Sequence, residues 1–176
     1  MWYDKNGNIT KTYDETNNSV FLGKNRYAPW IGGFGTNFTW KGLSVIADFA
    51  WQSGKYMLVN DDYFIKNANL GTSYNQSVDM LNVWTTPGQV TDIPAYGYDI
   101  YVDDHMLSNA SFLRMKTLTV QYQLPKSWMQ TIRYIKDIKV FGIARNLFTI
   151  TSFDGYDPEP DMNLVHFNYP NTRQFV

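Results

Sequence analysis

The sequence predicts an all-β chain of antiparallel strands, on three observations. Long runs alternate apolar and polar side chains with period two, as a strand does when its two faces meet different surroundings. The composition favours pleated backbone, with 13 Tyr, 11 Phe and 6 Trp, abundant Thr, and little alanine or glutamate. Turn-forming dipeptides, Asn6-Gly7 and Lys41-Gly42, separate such runs.

Residues 1–29 are polar and turn-rich and read as a loop with a short hairpin at Asn6-Gly7. The clearest strands follow, over 30–40 and 43–52. Trp30, Gly32, Phe34, Thr36, Phe38 and Trp40 share one parity, and Leu43, Val45, Ala47, Phe49 and Trp51 continue that face after the turn. The opposite face holds Ile31, Gly33, Gly35, Asn37 and Thr39, then Ser44, Ile46, Asp48, Ala50 and Gln52. Two readings fit this hairpin equally well. One is a soluble sheet with its aromatic face on a core; the other is a membrane hairpin with that face on lipid and the small polar face on a watery lumen. Trp30, Trp40 and Trp51 near strand ends suit an aromatic girdle. The glycines of "GGFG", inside a strand, suit bending or close packing beneath large rings.

Residues 53–110 form a long connection, with a short helix expected in "SVDMLNVW" behind Ser77 as N-cap. The third strand lies over 111–124, with Leu118, Val120, Tyr122 and Leu124 on one face and Thr117, Thr119, Gln121 and Gln123 on the other. Arg114 and Lys116 carry the parity of the apolar face. Either they stand at headgroup height in a barrel or a bulge resets the parity. A helical turn is expected after Pro125, placing Trp128, Ile132 and Ile135 together. The fourth strand, over 138–151, has apolar residues on both parities, so its faces are unassigned. Residues 152–166 form an acidic loop, and a strand begins near 167–176.

The 176 residues carry a net charge of −1, which argues against a nucleic-acid partner. With no cysteine there is neither a disulfide framework nor a thiolate metal site. The opening residues lack a basic segment followed by an apolar run, so no signal peptide is expected there. No apolar run approaches the roughly 20 residues of a membrane helix, which leaves a membrane barrel open.

The acids fall in three groups: Asp61-Asp62; Asp103-Asp104 beside His105; and Asp154, Asp157, Glu159 and Asp161. All are in expected loops, where solvated carboxylates are the ordinary case and a glycosidase pair the rare one. "DGYDPEPDMN" lacks EF-hand spacing, and His105 and His166 make no zinc motif, so neither a metal nor a cofactor is expected. The loop aromatics are better binding candidates, because rings stack on sugars or peptides while amides and carboxylates orient them. Tyr63, Trp84, Tyr96 and Tyr98 lead that set with Asp157 and Glu159; Tyr56, Tyr74 and Tyr101 are further members. Each of these rings also has an ordinary reading, packing the loop on itself.

Four segments, in order, carry a family likeness: "FLGKNRYAPWIGGFG", "WTTPGQVTDIPAYG", "SFLRMKTLTVQYQLPKSW" and "ARNLFTITSFDGYDPE". The chain resembles the C-terminal part of SusC/RagA-family TonB-linked outer-membrane proteins. The resemblance implies a transmembrane barrel of about 22 strands around a plug, to which this chain supplies about five strands with long outer loops, 53–110 and 152–166, and short inner turns. It implies import of oligosaccharides or peptides, a SusD-like surface lipoprotein as partner, and TonB coupling through a plug that this chain lacks. Trp30, Phe34, Phe38, Trp40, Val45, Phe49, Trp51, Val120 and Tyr122 would then face outer-membrane lipid. Asp157-Pro158-Glu159 would mark the exit from a strand into an outer loop that shapes itself or meets substrate. The expected chain is a piece that needs the remaining strands, because a sheet left open in lipid strands its backbone groups. A soluble all-β carbohydrate-binding module is the alternative, and a glycoside hydrolase using loop acids a third.

Overall fold

The computed structural model describes residues 2–98, 100–129, 134–162, 164–165 and 168–176. Its elements run β1 (Trp2–Tyr3), β2 (Ile9–Thr10), α1 (Glu15–Asn18), β3 (Trp30–Trp40), β4 (Leu43–Ser53), β5 (Tyr56–Val59) and α2 (Asp61–Ile65). After the long connection come β6 (Leu107–Asn109), β7 (Phe112–Gln123), α3 (Lys126–Met129), β8 (Lys139–Arg145), β9 (Thr149–Thr151), β10 (Leu164–Val165) and β11 (Gln174–Phe175).

Most of the structure is one antiparallel sheet in the order β11-β8-β7-β4-β3, with β9 continuing the β8 edge of β7. The sheet is open, with β3 and β11 at its ends. β3 and β4 pair along their whole length, from Trp30 opposite Ser53 to Trp40 opposite Leu43. Lys41 and Gly42 close the hairpin with φ of 45° and 90°, the double left-handed turn that matches strand twist. A Cβ on Gly42 would lie 2.7 Å from the Gln123 carbonyl oxygen, so both space and conformation demand glycine.

The pairing puts Trp30, Phe34, Phe38 and Trp40 on one face with Val45, Phe49, Trp51, Val120 and Tyr122. Phe34 stacks on Phe49 at 4.8 Å, and Phe49 meets Phe148 at 6.4 Å. Gly32 lies beneath the Trp51 indole, 2.8 Å from where a Cβ would be. This face has no core over it: Trp30, Phe34, Phe38 and Trp40 are each more than half exposed. β8 places Val140, Gly142 and Ala144 on the aromatic face and Lys139, Phe141, Ile143 and Arg145 on the polar one, which resolves the strand whose faces the pattern left unassigned.

The stretch 138–151 is not one continuous strand. It breaks at Asn146, whose φ of 51° turns the chain before β9 resumes. The N–H of Asn146 donates to the Lys116 carbonyl, so the break stays tied to β7. The strand expected from residue 167 is described at Gln174–Phe175; Phe167, His166 and Ile132 lie outside the described residues.

The long connection is organised rather than loose. β5 and β6 pair at its root and, with β10, form a second small sheet. Three 3-10 turns, 68–70, 78–82 and 104–106, each begin at an Asn, Ser or Asp whose side chain accepts a backbone N–H. The buried core is here, beyond the end of the hairpin: Met57, Val59, Ala110 and Phe153, with Met162 against them. At the start of the chain, β1 and β2 form the Asn6-Gly7 hairpin, and Trp2 and Tyr13 pack on Tyr101 of the connection.

Candidate functional site

Between Asp48 and Phe49 of β4 the register against β7 shifts, with Thr117 opposite Asp48 and Met115 opposite Phe49. Lys116 is the extra residue of a β-bulge. Upstream of it, Arg114 pairs with Ala50 and so lies on the polar face. The headgroup placement of Arg114 and Lys116 is therefore corrected: the bulge turns both away from the aromatic face.

Arg114 is buried and fully engaged. Its Nη2 and Nη1 donate to the two oxygens of Asp157 at 2.7 and 3.4 Å, and its Nε donates to Thr149 Oγ1 at 2.7 Å. Nη1 also donates to Glu159, whose other oxygen accepts from Lys116 Nζ. Asp157 accepts two backbone N–H groups besides, from Glu159 at 3.0 Å and from Asn171 at 2.8 Å. Burial pushes the Asp157 carboxyl up, but the bonds from Arg114, Asn171 and Glu159 outweigh it and hold the group below its ordinary value.

A second cation holds the same loop from behind. Lys55, 3% exposed, sends its Nζ to the carbonyl oxygens of Pro158, Glu159 and Pro160 at 3.0, 3.3 and 2.5 Å. Burial lowers the Lys55 ammonium from its ordinary value, against the opposing pull of Asp161, Asp157 and Glu159. Prolines at 158 and 160 suit this arrangement, since they lack N–H groups and present carbonyls. Another acid of the run, Asp154, accepts from Ser108 Oγ at 2.9 Å.

The six binding candidates therefore separate. Asp157 is 4% exposed and paired with Arg114, and Glu159 is shared by Arg114, Lys116 and Asn171. The hollow beside Asp157, lined by Tyr156, Pro158, Pro170 and Arg173 among others, includes none of Tyr63, Trp84, Tyr96 and Tyr98. Tyr63 packs edge-on against Phe64, which in turn meets Tyr74. Tyr56 carries Lys24 over its ring, and Tyr101 stacks on Tyr13 at 4.4 Å. Tyr96 and Tyr98 stand exposed on a turn that Asn69 holds through Gly97 N–H and the Tyr98 carbonyl.

The other acid groups also have structural tasks. Asp62 and Asp79 flank Lys66 at 3.0 and 3.4 Å, and Asp103 caps the turn at His105. Burial raises the Asp103 carboxyl above its ordinary value. Among the described residues no three His, Asp or Glu side chains gather as a metal site. No described helix is long and apolar enough to cross a membrane. Lys55 and Asn171 had no sequence signal, since a lysine after Ser-Gly and an asparagine after proline read as solvated loop. Arg114 had one: its parity disagreed with its own strand.

An open antiparallel sheet with a bare aromatic face and a polar face strapped by internal ion pairs is a stretch of outer-membrane β-barrel wall. No protein-family model matches the chain. It is 24% identical over 157 residues to TonB-dependent receptor P3 of Formosa agariphila, covering 82% of this chain and 15% of that protein. It is 25% identical over 177 residues to TonB-dependent receptor SusC of Bacteroides thetaiotaomicron, covering 100% and 17%. Among solved structures, the RagAB peptide transporter matches with a TM-score of 0.88 and 38% identity, over 99% of this chain and 20% of that one. The chain is thus a SusC/RagA-like segment of the TonB-dependent receptor class, spanning about a sixth of the curated relatives it matches.

Proposed function

We propose that this chain supplies wall strands and external loops to an outer-membrane importer that takes up peptides or oligosaccharides with TonB energy. A SusD-like surface lipoprotein would act with it on the outer side, and the coupling to TonB would come from a plug outside these residues. The observation that carries this reading is the exposed aromatic face of β3, β4 and β7, continuous across three strands in a fold like that of the RagAB transporter.

A soluble binding module would need Trp30, Phe34 and Phe38 beneath a core, and the core lies elsewhere. A hydrolase would need a carboxyl poised to give up a proton, whereas Asp157 is held ionised by Arg114. The receptors and transporters that the chain resembles support a non-catalytic reading.

Two arginine substitutions test the wall. Val45→Arg, on the aromatic face, should cost about 2–4 kcal/mol at bilayer depth and abolish the heat-modifiable folded band in outer membranes. Thr119→Arg, on the polar face, should leave that band intact. Equal tolerance of both, or recovery of the protein in the soluble fraction, would overturn the membrane reading. Uptake of labelled peptides against labelled oligosaccharides then separates the two cargo classes.

A further inference from the structure

The acids of the 157–159 loop hold more than their own loop. Asn171 donates its N–H to Asp157 Oδ2 at 2.8 Å and its Nδ2 to Glu159 Oε2 at 3.1 Å. One residue on, the Thr172 carbonyl accepts from Asn146 Nδ2 at 3.1 Å. Immediately afterwards the chain enters β11, with Gln174 opposite Arg145 and Phe175 opposite Ala144. Three bonds therefore fix the entry to a strand just before it pairs.

Among the described residues little else sets the register of that strand. Its partner presents Val140, Gly142 and Ala144 to the aromatic face, and two of these are too small to interlock with a neighbour. Phe175 and Val176 are both apolar, so neither parity of β11 is plainly wrong. A slip of two residues would keep Phe175 on the aromatic face, opposite Gly142, which has no side chain to resist it and where an added Cβ would meet nothing closer than 3.9 Å. The same slip would carry Asn171 about 6.7 Å along the strand axis, beyond reach of either carboxylate.

We infer that Asp157 and Glu159, held by Arg114 and Lys116, act as a register pin for the strand at 174–176. Arg114 sets the position of the Asp157 carboxylate from β7, and that carboxylate sets where β11 begins along β8. The carboxylates of the Asp-Pro-Glu run thus pass the register of one wall strand to another two places along the sheet.

Cross-linking the whole gene product in cell envelopes tests this. Ile143 and Val176 exchange both backbone hydrogen bonds, so Ala144 and Phe175 form the close, non-hydrogen-bonded pair that suits a disulfide. In an otherwise native chain, Ala144→Cys with Phe175→Cys should cross-link and Gly142→Cys with Phe175→Cys should not. Adding Asp157→Asn with Glu159→Gln should shift the ratio toward the slipped pair by about tenfold, the equilibrium worth of one hydrogen bond to a charged group. Asn171→Asp is the decisive second variant, because it leaves the buried Arg114–Asp157 pair untouched and sets a carboxylate against Glu159. A fall of about tenfold in the 144–175 product there, with or without the slipped product, supports the pin. An unchanged 144–175 product in Asn171→Asp overturns it. The cross-link reports pairing in whichever fraction holds the protein, so a failed membrane reading leaves this test interpretable.

Discussion

Replacing Arg114 with methionine removes the guanidinium that pairs with Asp157 while leaving the carboxylate where it is. The Arg114 side chain is 5% exposed and that of Asp157 is 4% exposed, so water cannot take over. Asp157 would keep only the N–H groups of Glu159 and Asn171, and Thr149 would lose its donor at 2.7 Å. Breaking one side of such a pair costs about 3–5 kcal/mol, because the penalty is the stranded charge rather than the lost attraction. Removing both charges should cost less than the sum of the single losses. Arg114→Met with Asp157→Leu should recover about 2 kcal/mol relative to additivity. The assay is urea unfolding of the purified gene product in detergent, followed by tryptophan fluorescence, with the midpoint compared at constant slope. A single-variant loss below about 0.5 kcal/mol, or a double-mutant cycle with no coupling, would refute a buried, energetically committed pair.

The remaining expectations follow the same geometry. Asp157 has a lowered folded pKa, so its stabilisation is fully present above the unfolded value of about 3.9 and is lost as pH falls through the lower folded value. Acid unfolding should therefore be shallower in Asp157→Asn across that window, and identical acid profiles would contradict it. Lys55→Met leaves the carbonyls of residues 158–160 without their donor and should lower stability by about 1–3 kcal/mol, less than three bonds would suggest because it also relieves a buried charge. Protease cleavage within the loop at 158–162 should rise with it, and an unaltered digestion pattern would count against the clamp. Gly42→Ala meets both a φ of 90° and the Gln123 carbonyl, and should cost about 2 kcal/mol or more in the same unfolding assay, whereas Gly88→Ala, at φ 91° in open space, isolates the conformational part alone.

The hairpin from 30 to 53 was legible in the sequence because its two faces differ at nearly every position and a two-residue turn joins them. β7 was legible downstream of Thr117 and not upstream, because one inserted residue inverts the parity that pattern reading follows. β8 was legible as a strand but not in its faces: Phe141 and Ile143 sit on the polar face, so neither parity looked wet. The ion-pair network lay beyond reach of any local pattern. Arg114 and Asp157 are separated by 43 residues, and only the folded sheet brings their two motifs together. Among the loop aromatics, Tyr101 stacks on Tyr13 and Tyr56 carries Lys24 over its ring, while Tyr96 and Tyr98 stand exposed.

The bulge at Lys116 gives β7 two reading frames. Below it, the even-numbered side chains Leu118, Val120 and Tyr122 point to the aromatic face; above it, the odd-numbered Leu113 and Met115 do. Point substitutions leave both frames in place, so this strand tolerates drift in identity while it guards length. Loss of Lys116 would merge the frames with Arg114 still opposite Ala50, at the cost of the ammonium that bonds Glu159. Straightening the bulge with every residue kept would instead swing the Arg114 charge onto the aromatic face. In descendants of this sequence, insertions and deletions should therefore collect in the connection at 60–106 and spare the few positions around Lys116.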